Sequence, residues 1–128
     1  MKKWLWILLL AVPLLMAGCR KQQQVDESGY RIWYINQDET CLKYENKELQ
    51  SKNEEGMLRE MLEVMRETPE DEDLKPVIPE DVQLLDFDFE HNQLYLNFSP
   101  EYKKMPKVYE VLCRAAIVRT LGQIDGVE

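Results

Sequence analysis

Apolar and polar residues alternate through Val82–Ser99, and this period of two predicts an antiparallel β-hairpin near the middle of the chain. The inward-facing positions are predicted to be Leu85, Phe87, Phe89, Leu94, Leu96 and Phe98. Within the turn, Asn92 is the residue best suited to a left-handed backbone. Because an isolated hairpin is only marginally stable in water, we expect a helix to cover its apolar face. We therefore predict a core built on this hairpin, with Phe87 and Phe98 buried against Leu112.

Two flanking segments show helical rather than strand periodicity. In the first, Leu58, Met61, Leu62 and Met65 follow the i, i+3, i+4, i+7 pattern of a helix with one buried face. Ser51 and Glu54 have the spacing of a capping box, and Pro69 is expected to stop the helix. The row of methionines at 57, 61 and 65 could suit a soft metal, but adaptable core packing is the favoured interpretation.

The second helical segment spans residues 107–124, and Gly126 is suited to end it in a left-handed conformation. Its predicted core stripe is Val108, Val111, Leu112, Ala115 and Val118, widened by Ala116, Ile117, Leu121 and Ile124. Two further strands are predicted at residues 30–35 and 40–44, which are rich in aromatic and β-branched residues. Together these elements predict an α+β fold, a small antiparallel or mixed sheet with two helices packed on one face.

The N-terminus has the form of an export signal. Lys2 and Lys3 precede an apolar run, Trp4–Met16, that is shorter than the about 20 residues needed to span a bilayer. The run ends in Ala17-Gly18-Cys19, and Leu15–Cys19 resembles a bacterial lipobox, in which the cysteine is acylated before cleavage. Cys19 is therefore the predicted lipidation site, and residues 1–18 the predicted signal peptide. The alternative is an uncleaved hydrophobic anchor; both interpretations place the domain on the outer face of the cytoplasmic membrane.

The residues after Cys19 are polar and lack periodicity, so residues 19–29 are interpreted as a flexible tether and residues 30–128 as the folded domain. The chain carries a net charge of −8. An acidic surface repels phosphate backbones, so nucleic acid is disfavoured as a partner.

Candidate catalytic and metal chemistry is sparse in the sequence. The single histidine, His91, falls in the predicted hairpin turn without a partner for acid–base work. The acidic run at residues 70–73 lacks the ligand spacing and the glycine of a calcium loop, and is interpreted as a solvated loop. No glycine-rich phosphate loop or nucleophile motif is present in the sequence. We therefore assign no catalytic residue, cofactor or metal.

Four residues form the candidate interaction surface. Asp86 and Asp88 lie on the polar face of the hairpin, where paired carboxylates of a glycosidase are a weaker alternative because both would face water together. Trp33 and Tyr95 could begin an aromatic site of a solute- or peptidoglycan-binding lipoprotein. With Cys19 lipidated, Cys41 and Cys113 remain, and they could either pair or stay as free thiols.

In element order and in three stretches, the sequence resembles the GerMN domain of bacterial sporulation and germination lipoproteins. Ile78–Val82 resembles the entry to the family's hairpin, Tyr95–Ser99 its Val-Asp-Phe-Ser strand end, and Ala116–Leu121 with Gly126-Val127 its closing helix and exit. The resemblance implies a small α/β module, similar to ring-building motifs, that acts through protein contacts without assigned catalytic residues. Its expected partners are the membrane, through lipid on Cys19, an envelope or sporulation-complex protein, and other copies of itself.

Three departures from the family pattern stand out. The turn is His91-Asn92 where the family has Asp-Gly, and Asn97 replaces the usual aspartate. The sequence reaches Glu128 without the family's final strand. The expected consequence is an open sheet edge, belonging either to a fragment, to a truncated product, or to a domain completed by another chain.

Overall fold

The computed structural model describes residues 29–127, so the predicted signal peptide, the predicted lipidation site Cys19 and the predicted tether up to residue 28 lie outside the described residues. The elements in chain order are β1 (Tyr30–Asn36), β2 (Leu42–Lys47), α1 (Glu54–Val64), β3 (Leu74–Lys75), β4 (Leu84–Glu90), β5 (Gln93–Phe98), a 3-10 helix (Pro100–Lys104) and α2 (Lys107–Leu121). The strands form two antiparallel sheets, ordered β2-β1-β3 and β4-β5. The predicted α+β class is confirmed.

The core is centred on β1 rather than on the hairpin. Ile32, Tyr34 and Ile35 are each at most 1% exposed, and the Tyr34 hydroxyl donates to the backbone carbonyl of Val64 at the end of α1. Phe87, Phe98 and Leu112, which were predicted to form the centre of the core, are only half-buried at its periphery. The prediction was wrong because β1 lies between β2 and β3 and buries residues on both of its faces, whereas the hairpin keeps one face in water.

The predicted β4-β5 hairpin is present, with a turn at His91-Asn92 where both residues have positive φ, 52° and 65°. Two left-handed residues are the geometry of a type I′ turn, which matches the twist of the strands. A β-bulge between Leu84 and Asp86 shifts the register. It brings Leu84 opposite Phe98 and leaves Leu85 59% exposed, so the inward position predicted for Leu85 is wrong.

Helix α1 buries the predicted residues but begins differently. Leu58, Met61, Leu62 and Met65 are buried, and Met57 packs partly buried against them, which confirms the methionine row as core packing. The N-cap is Asn53, whose side chain accepts from the Gly56 amide at 2.7 Å. The predicted capping residue Ser51 instead donates its backbone N–H to the Glu60 carboxylate at 2.9 Å.

Helix α2 buries the four residues predicted to widen its core stripe, Ala116, Ile117, Leu121 and Ile124, but turns most of the stripe itself away from the core. Its buried residues are Cys113, Ala116, Ile117, Thr120 and Leu121, and Ile124 is buried just beyond its end. Three valines of the predicted core stripe, at 108, 111 and 118, are instead 61–65% exposed. Small residues on the buried face let the helix lie close along β1.

The N-terminal half of β1 is bordered by side chains of the α2 region. The Trp33 amide donates to the Thr120 hydroxyl at 3.0 Å. Gln123 accepts from the Arg31 amide at 2.9 Å and donates back to the Arg31 carbonyl at 2.6 Å, as a neighbouring strand would. At this edge, therefore, three backbone groups that a docking strand would use, the Arg31 amide and carbonyl and the Trp33 amide, are already bonded.

Candidate interaction surface

A cationic and apolar surface runs along the outward side of α2. Val108, Val111 and Val118 are spaced so that they project to one side of the helix, and all three are exposed. Lys107, Arg114 and Arg119, all exposed, flank them. Exposed contiguous apolar residues with a charged border are typical of protein-binding sites.

An aromatic cluster on the adjoining sheet continues this surface. The antiparallel register pairs Trp33 with Tyr44, and their ring centroids lie 5.0 Å apart. The Arg31 guanidinium lies 4.9 Å from the Tyr44 ring centroid, and that of Arg119 lies 4.6 Å from the Trp33 ring centroid. The ion pairs found among residues 29–127 involve other cations, so the guanidinium groups of Arg31 and Arg119 have no acidic partner there. We call the three valines, Lys107, Arg114, Arg119, Trp33, Tyr44 and Arg31 the cationic surface.

The outward side of the hairpin has the opposite charge. Asp88 pairs in register with Tyr95, and Asp86 with Asn97, so these four side chains share one face. Leu85 at the bulge and Tyr95 are more than half exposed, and the Tyr95 hydroxyl donates to Gln93 at 2.7 Å. We call Leu85, Asp86, Asp88, Tyr95 and Asn97 the acidic surface.

The structure therefore divides the predicted site residues. Asp86, Asp88 and Tyr95 lie together on the acidic surface, whereas Trp33 belongs to the other sheet. Sequence reasoning missed Tyr44, Arg31 and Arg119, which surround Trp33. Pairing the two predicted N-terminal strands in register would have placed Tyr44 beside Trp33; nothing local pointed to Arg119, which comes from α2.

Two small apolar clefts adjoin the hairpin. One, of about 160 Å³, is lined by Leu58, Phe87, Phe89, Ile124 and Val127, with Glu54, Glu55 and Asp125 also at its wall. The other, of about 140 Å³, lies between β5 and α2 and is lined mainly by Leu94, Leu96, Ile117, Val118 and Leu121. Both are smaller than the roughly 300 Å³ at which pockets for drug-sized ligands begin.

The predicted solvated loop at residues 70–73 is exposed and tied down by local contacts. Glu70 forms an ion pair with Lys47, and Asp71 accepts from the Asp73 amide at 2.9 Å. The Glu70 pKa is lowered by the hydrogen bond from Lys47. Among residues 29–127 no three His, Cys, Asp or Glu side chains are grouped so as to hold a metal ion.

The two cysteines of the domain are free thiols in very different surroundings. Cys41 is exposed and Cys113 is fully buried, so the disulfide left open by the sequence is not formed. Burial raises the Cys113 pKa to about 12, since the thiolate would lose its hydration.

We expect iodoacetamide at pH 8 to modify Cys41 and to leave Cys113 unmodified in the folded protein, because the thiolate is the reactive form. Unfolding in urea should make both thiols react, and peptide mass spectrometry reads the two sites separately. Rapid modification of Cys113 under native conditions would show that α2 does not pack as described.

Comparison with known families adds the decisive observation. The family model for Germane, described as sporulation and spore germination, matches residues 31–128. The chain belongs to the Germane family. This match confirms the resemblance to the GerMN domain and makes the chain a protein related to sporulation and germination. The search of curated proteins and the search of solved structures found no match.

The matched segment, residues 31–128, contains both charged surfaces, so each is part of the family domain. Within the described residues, no helix has the length and apolarity required to cross a bilayer.

Proposed function

We propose that this Germane protein is a lipid-anchored, extracytoplasmic module that assembles sporulation or germination complexes through protein contacts and without catalysis. The observation that carries the proposal is the composition of the cationic surface. Trp, Tyr and Arg dominate the energetics of protein interfaces. Here the Trp33 and Tyr44 rings meet at an angle of 58°, the guanidinium groups of Arg31 and Arg119 lie over them, and three valines of α2 are exposed.

The N-terminal sequence supports the location. The short apolar run before Cys19 has the tripartite form of an export signal, and acylation of Cys19 would supply an anchor that the acidic domain could not obtain from anionic headgroups. The ten tether residues after Cys19, residues 20–29, would have a root-mean-square reach of about 17 Å as a flexible chain. The domain would therefore work close to the bilayer, where the partners of an assembly module are concentrated.

A wall-binding role is the competing proposal, and two observations weigh against it. Trp33 and Tyr95, the rings suggested for a glycan site, lie on different sheets, and Arg119 stacks on the Trp33 ring. For a wall-active hydrolase, Asp86 and Asp88 would have to face each other across a cleft, yet they lie side by side on one exposed face.

The Cys19→Ala variant tests the anchor. We expect it to lose palmitate labelling, to retain the unprocessed size and to yield no acylated product, because the thiol that accepts the lipid is gone. Cys41→Ala is the matched control, since it removes the exposed thiol of the domain and should leave labelling unchanged. Unchanged labelling and processing of Cys19→Ala would contradict the lipobox assignment.

A further inference from the structure

We propose that the Germane domain binds a second copy of itself head to tail, with the cationic surface of one copy on the acidic surface of the next. This inference deepens the proposed function, on which it rests, by naming a partner for the interaction surface. Its basis is that, apart from Phe89, the exposed large hydrophobic residues among residues 29–127 lie on two surfaces of opposite charge.

The charge distribution is the first argument. Acidic residues outnumber basic ones by 24 to 16, yet the guanidinium groups of Arg31 and Arg119 have no acidic partner among residues 29–127. Asp86 and Asp88, on the other surface, are exposed and take part in none of those ion pairs. Each surface therefore offers the charges that the other lacks, and such complementarity steers association and fixes its register.

The apolar residues supply the second argument. Val108, Val111 and Val118 remain 61–65% exposed on one surface, and Leu85 and Tyr95 remain 59% and 56% exposed on the other. A contact that joins the two surfaces would remove all five from water. Charge pairing at the rim and apolar contact at the centre is the usual anatomy of a specific interface.

The same charges exclude a symmetric pairing of either surface with itself. A two-fold contact through the cationic surface would bring together the Arg31 and Arg119 guanidinium groups of both copies, which have no acidic partner among residues 29–127, and a two-fold contact through the acidic surface would oppose Asp86 and Asp88 with their own copies. Like charges brought together across an interface disfavour association. The geometry therefore points to a heterologous contact, in which each copy uses one surface of each kind.

An anionic polymer could also bind Arg31 and Arg119, but it would leave the valine row and the acidic surface uncovered. A second copy accounts for both surfaces at once. The polymer is therefore an alternative that the following test distinguishes.

Crosslinking between two differently tagged full-length copies in membranes tests the contact. Both copies carry Cys41→Ser to remove the exposed native thiol, and the buried Cys113 stays. One copy carries Val111→Cys on the cationic surface, and the other carries Tyr95→Cys on the acidic surface. With a short bismaleimide we expect crosslinks between unlike copies and none between like copies. Crosslinks confined to Val111→Cys pairs, or no crosslink at all, would overturn the proposal.

Charge reversal provides the energetic test. Arg119→Glu alone and Asp88→Arg alone should each lower the yield of the Val111–Tyr95 crosslink at least roughly tenfold. We expect the crosslink yield to recover when the Val111→Cys copy carries Arg119→Glu and the Tyr95→Cys copy carries Asp88→Arg. The two side chains then again have opposite charges, with the signs exchanged. Lys52→Glu and Glu63→Arg, at exposed positions outside both surfaces, are the matched controls and should leave the yield unchanged.

Two results would overturn the contact and leave the rest of the proposed function in place. One is that the control reversals lower the crosslink yield as much as Arg119→Glu and Asp88→Arg do. The other is that the combined reversals do not restore the crosslink yield. If purified anionic wall polymer binds the wild type, fails to bind Arg119→Glu and the crosslink is absent, the cationic surface belongs to the polymer. Palmitate labelling of Cys19 is measured in the same membranes, so failure of the anchor is seen separately.

Discussion

Replacing Ile32 with alanine should lower the free energy of unfolding by about 2–5 kcal/mol, the range for truncating a large aliphatic residue in a packed core. Ile32 is 0% exposed and lies on β1, which is paired with β2 and has α2 packed along it. The surrounding side chains are held by backbone pairing, so they can close only part of the space that the alanine leaves. Domains of this size have total stabilities of about 5–15 kcal/mol, so the variant would approach unfolding.

Urea denaturation followed by far-UV circular dichroism measures this loss. Phe87→Ala is an informative comparison, because the ring is only half-buried and lies 4.7 Å from the Arg59 guanidinium. We expect it to cost less than Ile32→Ala, although phenylalanine is the larger residue. Asp88→Ala, on the exposed face of the hairpin, is the control and should cost little. A larger loss for Phe87→Ala than for Ile32→Ala would place the centre of the core at the hairpin after all.

The centre of the core was misplaced from the sequence because burial on two faces leaves no alternation. The hairpin, with one face in water, shows a clear period of two, whereas Ile32, Tyr34 and Ile35 of β1 are all buried and include two adjacent residues. The strand β3 consists of Leu74 and Lys75 alone and is too short for any periodicity. Hydrophobic periodicity therefore identified the hairpin, which has the clearest alternation, whereas the most buried strand is β1.

Helix α2 shows a second limit of periodicity. Its apolar residues occur on most sides, so the pattern permits more than one choice of buried face. The helix packs through Ala116, Ile117 and Leu121, as predicted, and also through Cys113 and Thr120, whose small side chains allow a close approach but give little apolar signal in the sequence. Helix α1, with charged residues opposite its apolar row, allows only one choice, and there the prediction was confirmed.

The candidate site was partly predictable for the same reason. Asp86, Asp88 and Tyr95 followed from the alternation of one hairpin. The cationic surface combines β1, β2 and α2, so Arg119 reaches Trp33 only through the tertiary fold. The misassigned valines of α2 turn out to be its apolar part.

The Thr120→Val variant should lower the free energy of unfolding by about 1–3 kcal/mol, although it nearly preserves shape and adds apolar surface. Thr120 is 0% exposed, and its hydroxyl accepts the Trp33 amide at the edge of β1. Valine cannot accept this bond, so the amide would stay desolvated without a partner. Gln123 bonds the backbone of Arg31, two residues before Trp33, from a more exposed position, where water can replace the Gln123 side chain.

Two measurements separate this edge effect from a general loss of packing. Hydrogen exchange should show the Trp33 amide exchanging faster in Thr120→Val, with amides elsewhere in β1 changed only by the global loss of stability. Thr40→Val is the matched control, because the Thr40 hydroxyl accepts from the Asn36 side chain at an exposed position and its loss should cost little. If stability and Trp33 exchange are both unchanged in Thr120→Val, the hydroxyl does not close the edge. The N-terminal half of β1 would then be open to a docking strand. Such a strand would lie on the same side of α2 as the proposed contact between copies and would compete with that contact.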